Sequence, residues 1–193
     1  MLALPLCVGI LVASTAVALP SQEYEEEPQH FPEQIIQDMV DVSGPLYVRK
    51  RNYDTNTTAL CLSAEKIKKL NDTAYTYNLT ALFGRTFHSD TVTSILSRTG
   101  SHQVPNAATY SSKPKEVPKL RRLMTKNANN TCFVLSEEVI EDGKTKRGCQ
   151  LIMTKSTVGG DIPRKCRKVY DKYCPGKHVK LYRKKCETAA ASL

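Results

Sequence analysis

The sequence predicts a mainly β protein, an eight-stranded antiparallel barrel or sandwich with a helix after the strands. Short segments rich in Val, Ile, Thr and aromatic residues fill residues 46–155, and turn residues separate them. Asp142 and Gly143 form an Asp-Gly pair, which is typical of a hairpin between the last two strands. Strands do not alternate with helices here, so nothing indicates a parallel sheet.

Turn residues and apolar patterns give the bounds of each element. A polar, acidic stretch over residues 19–30 predicts a loose arm, and helical spacing over residues 33–41 predicts a short helix. A helical pattern returns over residues 164–173, with Pro163 before it and Gly176 after it. The predicted strands are 46–53, 59–62 with an extension to 70, 74–83, 86–96, 103–110, 120–125, 132–139 and 149–155, with a short final strand over 178–182.

The N-terminus predicts a secreted protein. Residues 2–12 are almost wholly apolar, and Ala16-Val17-Ala18 supplies a small-x-small cleavage site, so residues 1–18 predict a signal peptide. The apolar run is too short to span a bilayer. We therefore expect residues 19–45 to form an acidic arm with a short helix, and residues 46–193 to form the barrel, the C-terminal helix and a disulfide-tethered tail. The mature protein is expected to be extracellular, monomeric and without a membrane span.

Six cysteines remain once Cys7 is removed with the leader. An even number in a secreted chain predicts three disulfides. Six cysteines allow 15 connectivities, and the sequence alone does not choose between them. No Cys-x2-Cys pair supports a zinc site, and we expect no metal. The cysteines are Cys61, Cys132, Cys149, Cys166, Cys174 and Cys186.

Four Asn-x-Ser/Thr sequons agree with a secretory route and predict N-glycosylation. They begin at Asn56, Asn71, Asn78 and Asn129. The alternative is that one or two of these sequons carry no glycan.

Charge is distributed unevenly along the chain. Residues 19–48 hold seven acids and no base, and all 28 bases follow Val48. The C-terminal segment is especially basic, which fits either a sulfated glycan or acidic host receptor as partner, or an ordinary solvated surface. Nucleic acid is not expected, because no recognisable binding motif is present. The bases of the segment are Lys165, Arg167, Lys168, Lys172, Lys177, Lys180, Arg183, Lys184 and Lys185.

Catalysis is not expected. None of the four histidines lies near a nucleophile motif, and the chain has no Gly-x-Ser-x-Gly sequence or phosphate-binding glycine loop. We expect neither an enzyme nor a bound cofactor.

Side-chain alternation predicts an apolar interior. If Asn78 carries a glycan it faces solvent, so Tyr75, Tyr77, Leu79 and Phe83 face inward. The alternative is that the same residues pack into a core that leaves no cavity. An apolar lining suits a sterol, a fatty acid or another lipid better than an amine. The candidate ligand-binding residues are Tyr47, Tyr75, Tyr77, Leu79, Phe83, Phe87, Ile95, Leu120, Phe133, Leu135, Leu151 and Met153.

The first strand is ambiguous. Tyr47, Arg49, Arg51 and Tyr53 share one parity of the strand. On the outside these arginines are ordinary solvated bases. On the inside an arginine is costly unless it meets a carboxylate, which would fit a fatty acid or a leukotriene.

Several segments together resemble the tick salivary lipocalins, the histamine-binding-protein family. They are Tyr47-Val-Arg-Lys-Arg-Asn-Tyr-Asp54 with Cys61, Cys132-Phe-Val-Leu135, Cys149-Gln-Leu151, Cys166-Arg-Lys-Val-Tyr-Asp-Lys-Tyr-Cys174, and His178-Val-Lys-Leu-Tyr182 with Cys186. The resemblance runs from about Asp38 to Cys186. It implies an eight-stranded lipocalin barrel, a short N-terminal helix, and a C-terminal helix packed outside. It also implies disulfides Cys61–Cys186 and Cys132–Cys166, which leaves Cys149 with Cys174.

The resemblance also implies a function. We expect a secreted salivary lipocalin that binds a small hydrophobic ligand and modulates host immune cells such as dendritic cells. Because one branch of the family binds cholesterol, a sterol is the first ligand expected, and a fatty acid or leukotriene the next. A scavenger of histamine or serotonin is one alternative. A protein-binding immune or complement modulator with no essential ligand is another.

Overall fold

The structure, a computed structural model, describes residues 23–111 and 117–189, the last two without their side chains. The predicted signal peptide, the start of the predicted arm and the last four residues lie outside this part of the chain. None of the helices in the described part combines the length and the apolar character that a membrane crossing requires.

Nine strands form one antiparallel sheet that closes into a barrel, because β1 pairs both with β8 and with β2. The predicted eight-stranded barrel is confirmed, and the short β9 adds to its edge beside β1. The strands are β1 Leu46–Arg51, β2 Leu60–Lys69, β3 Ala74–Phe83, β4 Thr86–Ser97, β5 Ala107–Tyr110, β6 Lys119–Lys126, β7 Cys132–Glu141, β8 Lys144–Thr154 and β9 Val179–Lys180.

Most strand bounds agree with the sequence prediction, and the predicted hairpin joins β7 to β8. Asp142 and Gly143 both have positive φ, as that turn requires. The strand predicted over residues 103–110 is shorter in the structure, since β5 begins only at Ala107. Its first part is a connection, in which buried Asn106 accepts a hydrogen bond from the Thr99 backbone.

Three helices accompany the barrel: α1 Gln37–Val40, α2 Arg164–Tyr173 and α3 Lys184–Ala189. The bounds of α2 agree with the prediction, and α1 is shorter than predicted. The loose arm predicted before α1 is wrong for its described part. Two 3-10 turns, Tyr24–Glu26 and Pro28–Glu33, lie against the barrel with Tyr24 and Glu25 buried. The acids of these turns pair with bases on β6, β8 and α2, which holds the arm in place.

Two apolar clusters lie on opposite faces of the barrel wall, an inner one and an outer one. Helix α2 buries Cys166, Val169 and Tyr170 in the outer cluster, so its apolar stripe covers the outside of β7 and β8. Helix α1 adds Val40, and the residue before it adds Ile36, to the inner cluster at one end of the barrel. We call this the closed end.

Three disulfides fasten the C-terminal segment to the barrel. They join Cys61 to Cys186, Cys132 to Cys166 and Cys149 to Cys174, which are the expected pairings. In each pair one cysteine belongs to residues 166–186 and the other lies on β2, β7 or β8. The helix and the tail are therefore fixed against the outer wall at three points.

Candidate ligand site inside the barrel

The half of the barrel near the closed end has an apolar inner wall. Residues opposite one another in neighbouring antiparallel strands share a face, so the register assigns each side chain to the inside or the outside. The inner cluster consists of Ile36, Val40, Leu46, Tyr75, Leu96, Ala108, Leu123, Phe133, Leu135 and Ile152, with Met39, Val42, Val48 and Tyr77 packed against them.

The inward prediction for β3 agrees with the register. Tyr75 and Tyr77 belong to the inner cluster, whereas Asn78 pairs with Glu65 and Thr91 on the outer face. Leu79 also lies on the inner face, opposite Ala64. Phe83 has the same parity but lies at the far rim, where its ring meets His88 edge-on at 5.4 Å between centroids. Alternation around the predicted glycan site therefore places the β3 side chains correctly.

Alternation on the last hairpin gives a mixed result. Phe133 and Leu135 face inward, as predicted. Leu151 and Met153 are fully buried but lie on the outer face beneath α2, so their prediction as lining residues is wrong. Helix α2 packs on the face of β8 that carries Cys149, so that face is apolar although it lies outside the barrel.

Four other candidates also lie outside. Tyr47 and Phe87 pack against the outer cluster, where the Tyr47 ring meets that of Tyr182 at 5.2 Å between centroids. Ile95 and Leu120 are 53% and 41% exposed, and both lie opposite Thr109 on the outer face. Their predictions as lining residues are wrong because their strand parity points to the outside.

A β-bulge in β1 resolves the ambiguity of its two arginines. The register shifts between Val48 and Lys50, so Arg49 and Arg51 no longer share a face. Arg49 remains outside and donates a hydrogen bond to the Tyr182 carbonyl. Arg51 lies opposite Gln150 on the inner face and is 4% exposed. It donates to the Tyr53 carbonyl at 3.0 Å and to the Thr55 hydroxyl at 2.7 Å, both neutral oxygens.

The half of the barrel away from the closed end contains a polar cluster that the sequence did not predict. We call Tyr53, Tyr110, Arg121, Glu137 and Gln150 the inner polar cluster. The Glu137 carboxylate accepts hydrogen bonds from the Tyr53 hydroxyl at 2.5 Å and from the Gln150 amide at 2.9 Å. Its other oxygen lies 3.3 Å from Nη2 of Arg121. Both ionic side chains are buried, so their pairing and hydrogen bonds are what make their burial tolerable.

The arginine of the cluster is also held by β5. Its guanidinium lies 4.0 Å from the centre of the Tyr110 ring and donates to the Tyr110 carbonyl at 3.1 Å. Gly148 leaves the room that the Tyr53 ring occupies, since a Cβ there would lie 2.9 Å from Tyr53 Cδ1. The cluster is therefore a fixed arrangement at the wall of the barrel.

Inner-face side chains beyond the polar cluster remain accessible to water. Leu79 and Val92 are half-buried, and His88 and Asp90 near the β3–β4 turn are exposed. A ligand entering from this side would pass polar groups first and reach the apolar wall near the closed end.

Burial raises the pKa of three inner tyrosines, Tyr53, Tyr77 and Tyr110. For Tyr53 the charge of Glu137 raises the pKa further. The cause is the same in each, because a phenolate loses solvation inside the barrel.

This shift predicts a pH dependence of stability. Because unfolded tyrosine titrates near pH 10, the stabilisation from neutral inner phenols is complete below about pH 10 and is lost as pH rises through the higher folded values. We expect the unfolding free energy to fall above about pH 10, and the tyrosinate absorbance of the folded protein to rise later than that of the urea-unfolded chain. Tyr53→Phe should remove one late-titrating group. Coincident titration curves for folded and unfolded protein would contradict this expectation.

The fold and the site together define a lipocalin-like barrel whose inner face is apolar near the closed end and polar in the other half. The model of the tick histamine-binding protein family matches residues 24–188, so the chain belongs to that family, whose members are ligand carriers. The resemblance noted in the sequence is thereby confirmed. No individually curated protein matches the chain in sequence.

Three solved structures illustrate the likeness. Japanin from Rhipicephalus appendiculatus, bound to cholesterol, has a TM-score of 0.54 and 15% identity, covering 75% of this chain and 96% of its own. AM182 in complex with serotonin has a TM-score of 0.55 and 13% identity, and the match covers 90% of this chain and 97% of AM182. Insecticyanin from the tobacco hornworm Manduca sexta has a TM-score of 0.57 and 6% identity, and the match covers 80% of this chain and 86% of insecticyanin. At these identities the likeness establishes the fold alone.

Proposed function

We propose that the protein is a secreted carrier of a small amphipathic lipid with a carboxylate head, such as a fatty acid or a leukotriene, held inside the barrel. The observation that carries the proposal is the charge of the inner face. Among the described residues, the buried charged side chains on that face are Arg51, Arg121 and Glu137. Two buried guanidinium groups therefore share this face with one buried carboxylate. The Asp54 carboxylate also attracts Arg51 but is exposed, and a buried cation is costly unless an anion joins it inside the barrel.

The placement of the charges supports the same ligand class. Glu137 is held by Arg121, Tyr53 and Gln150, whereas the hydrogen bonds of Arg51 go to neutral oxygens. A ligand carboxylate hydrogen-bonded to Arg51 would add a buried negative charge through charge-assisted hydrogen bonds, which the exposed Asp54 does not. The hydrocarbon tail would then extend toward Phe133, Leu135 and the closed end, where apolar burial is favourable by roughly 25 cal/mol per Å2.

An amine ligand is less well supported by this arrangement. A histamine or serotonin ammonium needs a buried carboxylate, and Glu137 is the one that the described inner face offers. That carboxylate already pairs with Arg121 at 3.3 Å. An ammonium would have to displace the guanidinium, which would leave a second buried cation nearby. A sterol, whose head is a neutral hydroxyl, could accept a hydrogen bond from Arg51 but would not balance its charge.

Replacing Arg51 tests the proposal. We expect Arg51→Met to weaken the binding of a fluorescent fatty acid by roughly 10- to 100-fold, since a hydrogen bond to a charged group is worth about 1.5–3 kcal/mol. Delipidated protein is titrated with the probe, and fatty acid, cholesterol, histamine and serotonin are then tested as competitors.

Arg49→Met is the matched control, because Arg49 lies two residues away on the outer face. It should leave the affinity unchanged, and a thermal melt checks that both variants fold. Equal affinity of the two variants would reject a role for Arg51. Displacement of the probe by serotonin or by cholesterol, but not by unlabelled fatty acid, would reject the carboxylate ligand.

Modulation of host immune cells is proposed as the consequence of such binding. A carrier that removes a lipid mediator lowers its free concentration and so reduces the response of cells such as dendritic cells. Wild-type protein should suppress a response evoked by added mediator, and Arg51→Met should do so only at a higher concentration. Equal suppression by both would point instead to a protein-binding modulator with no essential ligand.

A further inference from the structure

The net positive charge of the protein comes from one segment. Residues 164–185 hold ten bases and one acid, whereas the remainder of the chain holds 18 of each, from totals of 28 and 19. The formal net charge of +9 therefore equals the net charge of this segment, and the rest of the chain is formally neutral. A general solubilising surface would spread the charge more evenly.

Outside this segment, the acids of the arm lie beside bases of the barrel. Glu23 and Glu25 pair with Arg122 and Arg147, and Asp38 pairs with Lys126, so the acidic arm neutralises bases of β6 and β8. The arm reaches the basic segment through Glu33, which pairs with Lys165. The helix itself contributes Asp171, which pairs with Lys50 of β1.

The bases lie on an exposed face that is held rigidly. Every residue of α2 outside its buried stripe and Tyr173 is exposed, and Arg164, Lys168 and Lys172 follow one another at four-residue spacing, about 6 Å apart along the axis. Tyr170 links the helix to the tail, since its ring lies 5.4 Å from that of His178. Disulfides at Cys166 and Cys174 anchor this segment to the barrel, and Cys186, the residue that follows it, forms the third. The exposed bases of the helix and the tail are therefore held in place against the barrel, and we call these bases together the basic face.

We propose that the basic face binds a sulfated glycosaminoglycan of the extracellular matrix. A linear polyanion releases condensed counterions when it contacts a row of cations, and a rigid row loses little conformational entropy on binding. An anionic membrane fits less well, because membrane-bound helices insert an apolar face, and that of α2 is buried against the barrel. The exposed large hydrophobic residues of the described chain lie on other elements. This inference does not depend on the ligand inside the barrel.

Matched triple variants test the proposal. Arg164→Gln with Lys168→Gln and Lys184→Gln removes three charges from the basic face. Lys68→Gln with Arg85→Gln and Lys144→Gln removes three exposed charges elsewhere, so the net charge of the two proteins is equal. Binding to immobilised heparin is measured as a function of salt, with circular dichroism as a check of folding.

We expect the basic-face variant to bind heparin at least tenfold more weakly at about 0.15 M salt, and its salt slope to fall by about two to three. The control should lose less than threefold. Equal losses in the two variants would mean that only net charge matters and would overturn the proposal. Binding to phosphatidylserine vesicles at salt concentrations that abolish heparin binding would assign the face to a membrane instead, which would also overturn it.

Discussion

Replacing Glu137 with alanine is expected to lower the free energy of unfolding by about 3–5 kcal/mol. The substitution leaves the Arg121 guanidinium buried without its carboxylate, and it removes the acceptor for the Tyr53 hydroxyl and the Gln150 amide. Breaking one side of a buried ion pair costs more than the pair contributes, because the remaining charge stays desolvated. Urea unfolding at neutral pH measures the change, with the m-value as a check that the transition stays two-state.

The neighbouring residue supplies the control. Glu138 is exposed on the outer face, so Glu138→Ala should change the free energy of unfolding by less than about 0.5 kcal/mol. The double variant Arg121→Met with Glu137→Leu should recover most of the loss, since it removes both charges and keeps similar volume. If Glu137→Ala were as mild as Glu138→Ala, the inner polar cluster would have to be hydrated in solution.

Strand alternation predicted the inner wall correctly where the outer face of a strand is polar. On β3 the outer residues Thr76, Asn78 and Thr80 are polar, so Tyr75 and Tyr77 were assigned correctly. On β8 the outer residues Cys149, Leu151 and Met153 are the more apolar set, because α2 covers them, whereas the inner face carries Gln150. Assigning the apolar face to the interior therefore chose the wrong side of this strand. Cys149 held the missing information, since a cysteine that bonds to an external helix must face outward, and Leu151 shares its face.

The bulge in β1 could not be predicted from the sequence for a different reason. A single extra residue between Val48 and Lys50 reverses the face of everything after it, and no residue type there marks the insertion. The inner polar cluster was missed because Arg121 and Glu137 are types that usually lie on the surface. A signal did exist for Glu137, since it continues the parity of Phe133 and Leu135.

The burial of the acidic arm depends on contacts distant in sequence. Glu25 is buried beside Ser136 and pairs with Arg147, more than a hundred residues away. Local composition, which is polar and rich in proline and glutamate, is typical of a flexible segment. The partners of these acids lie on β7 and β8, which only the folded barrel brings close to the arm. The local sequence pattern does not contain that information and therefore predicted a loose arm.

Removing the disulfide between Cys61 and Cys186 is expected to lower the free energy of unfolding by about 5 kcal/mol. The bond closes a loop of 125 residues, and its loss frees the unfolded chain more than it disturbs the folded one. Both cysteines are replaced by alanine, so that no free thiol remains to form a wrong bond. Urea unfolding of the purified variant, compared with wild type under non-reducing conditions, measures the change.

The disulfide between Cys149 and Cys174 provides the matched comparison, because it closes a loop of only 25 residues. The same chain-entropy relation gives about 3.5 kcal/mol for that bond, so the two double-alanine variants should differ by about 1.4 kcal/mol. The opposite order would mean that the short loop stabilises by another route, namely by holding α2 and its buried Tyr170 against the barrel. Native packing, rather than the freedom of the unfolded chain, would then determine how firmly the basic face is mounted, and the Cys149–Cys174 variant should lose heparin affinity as well.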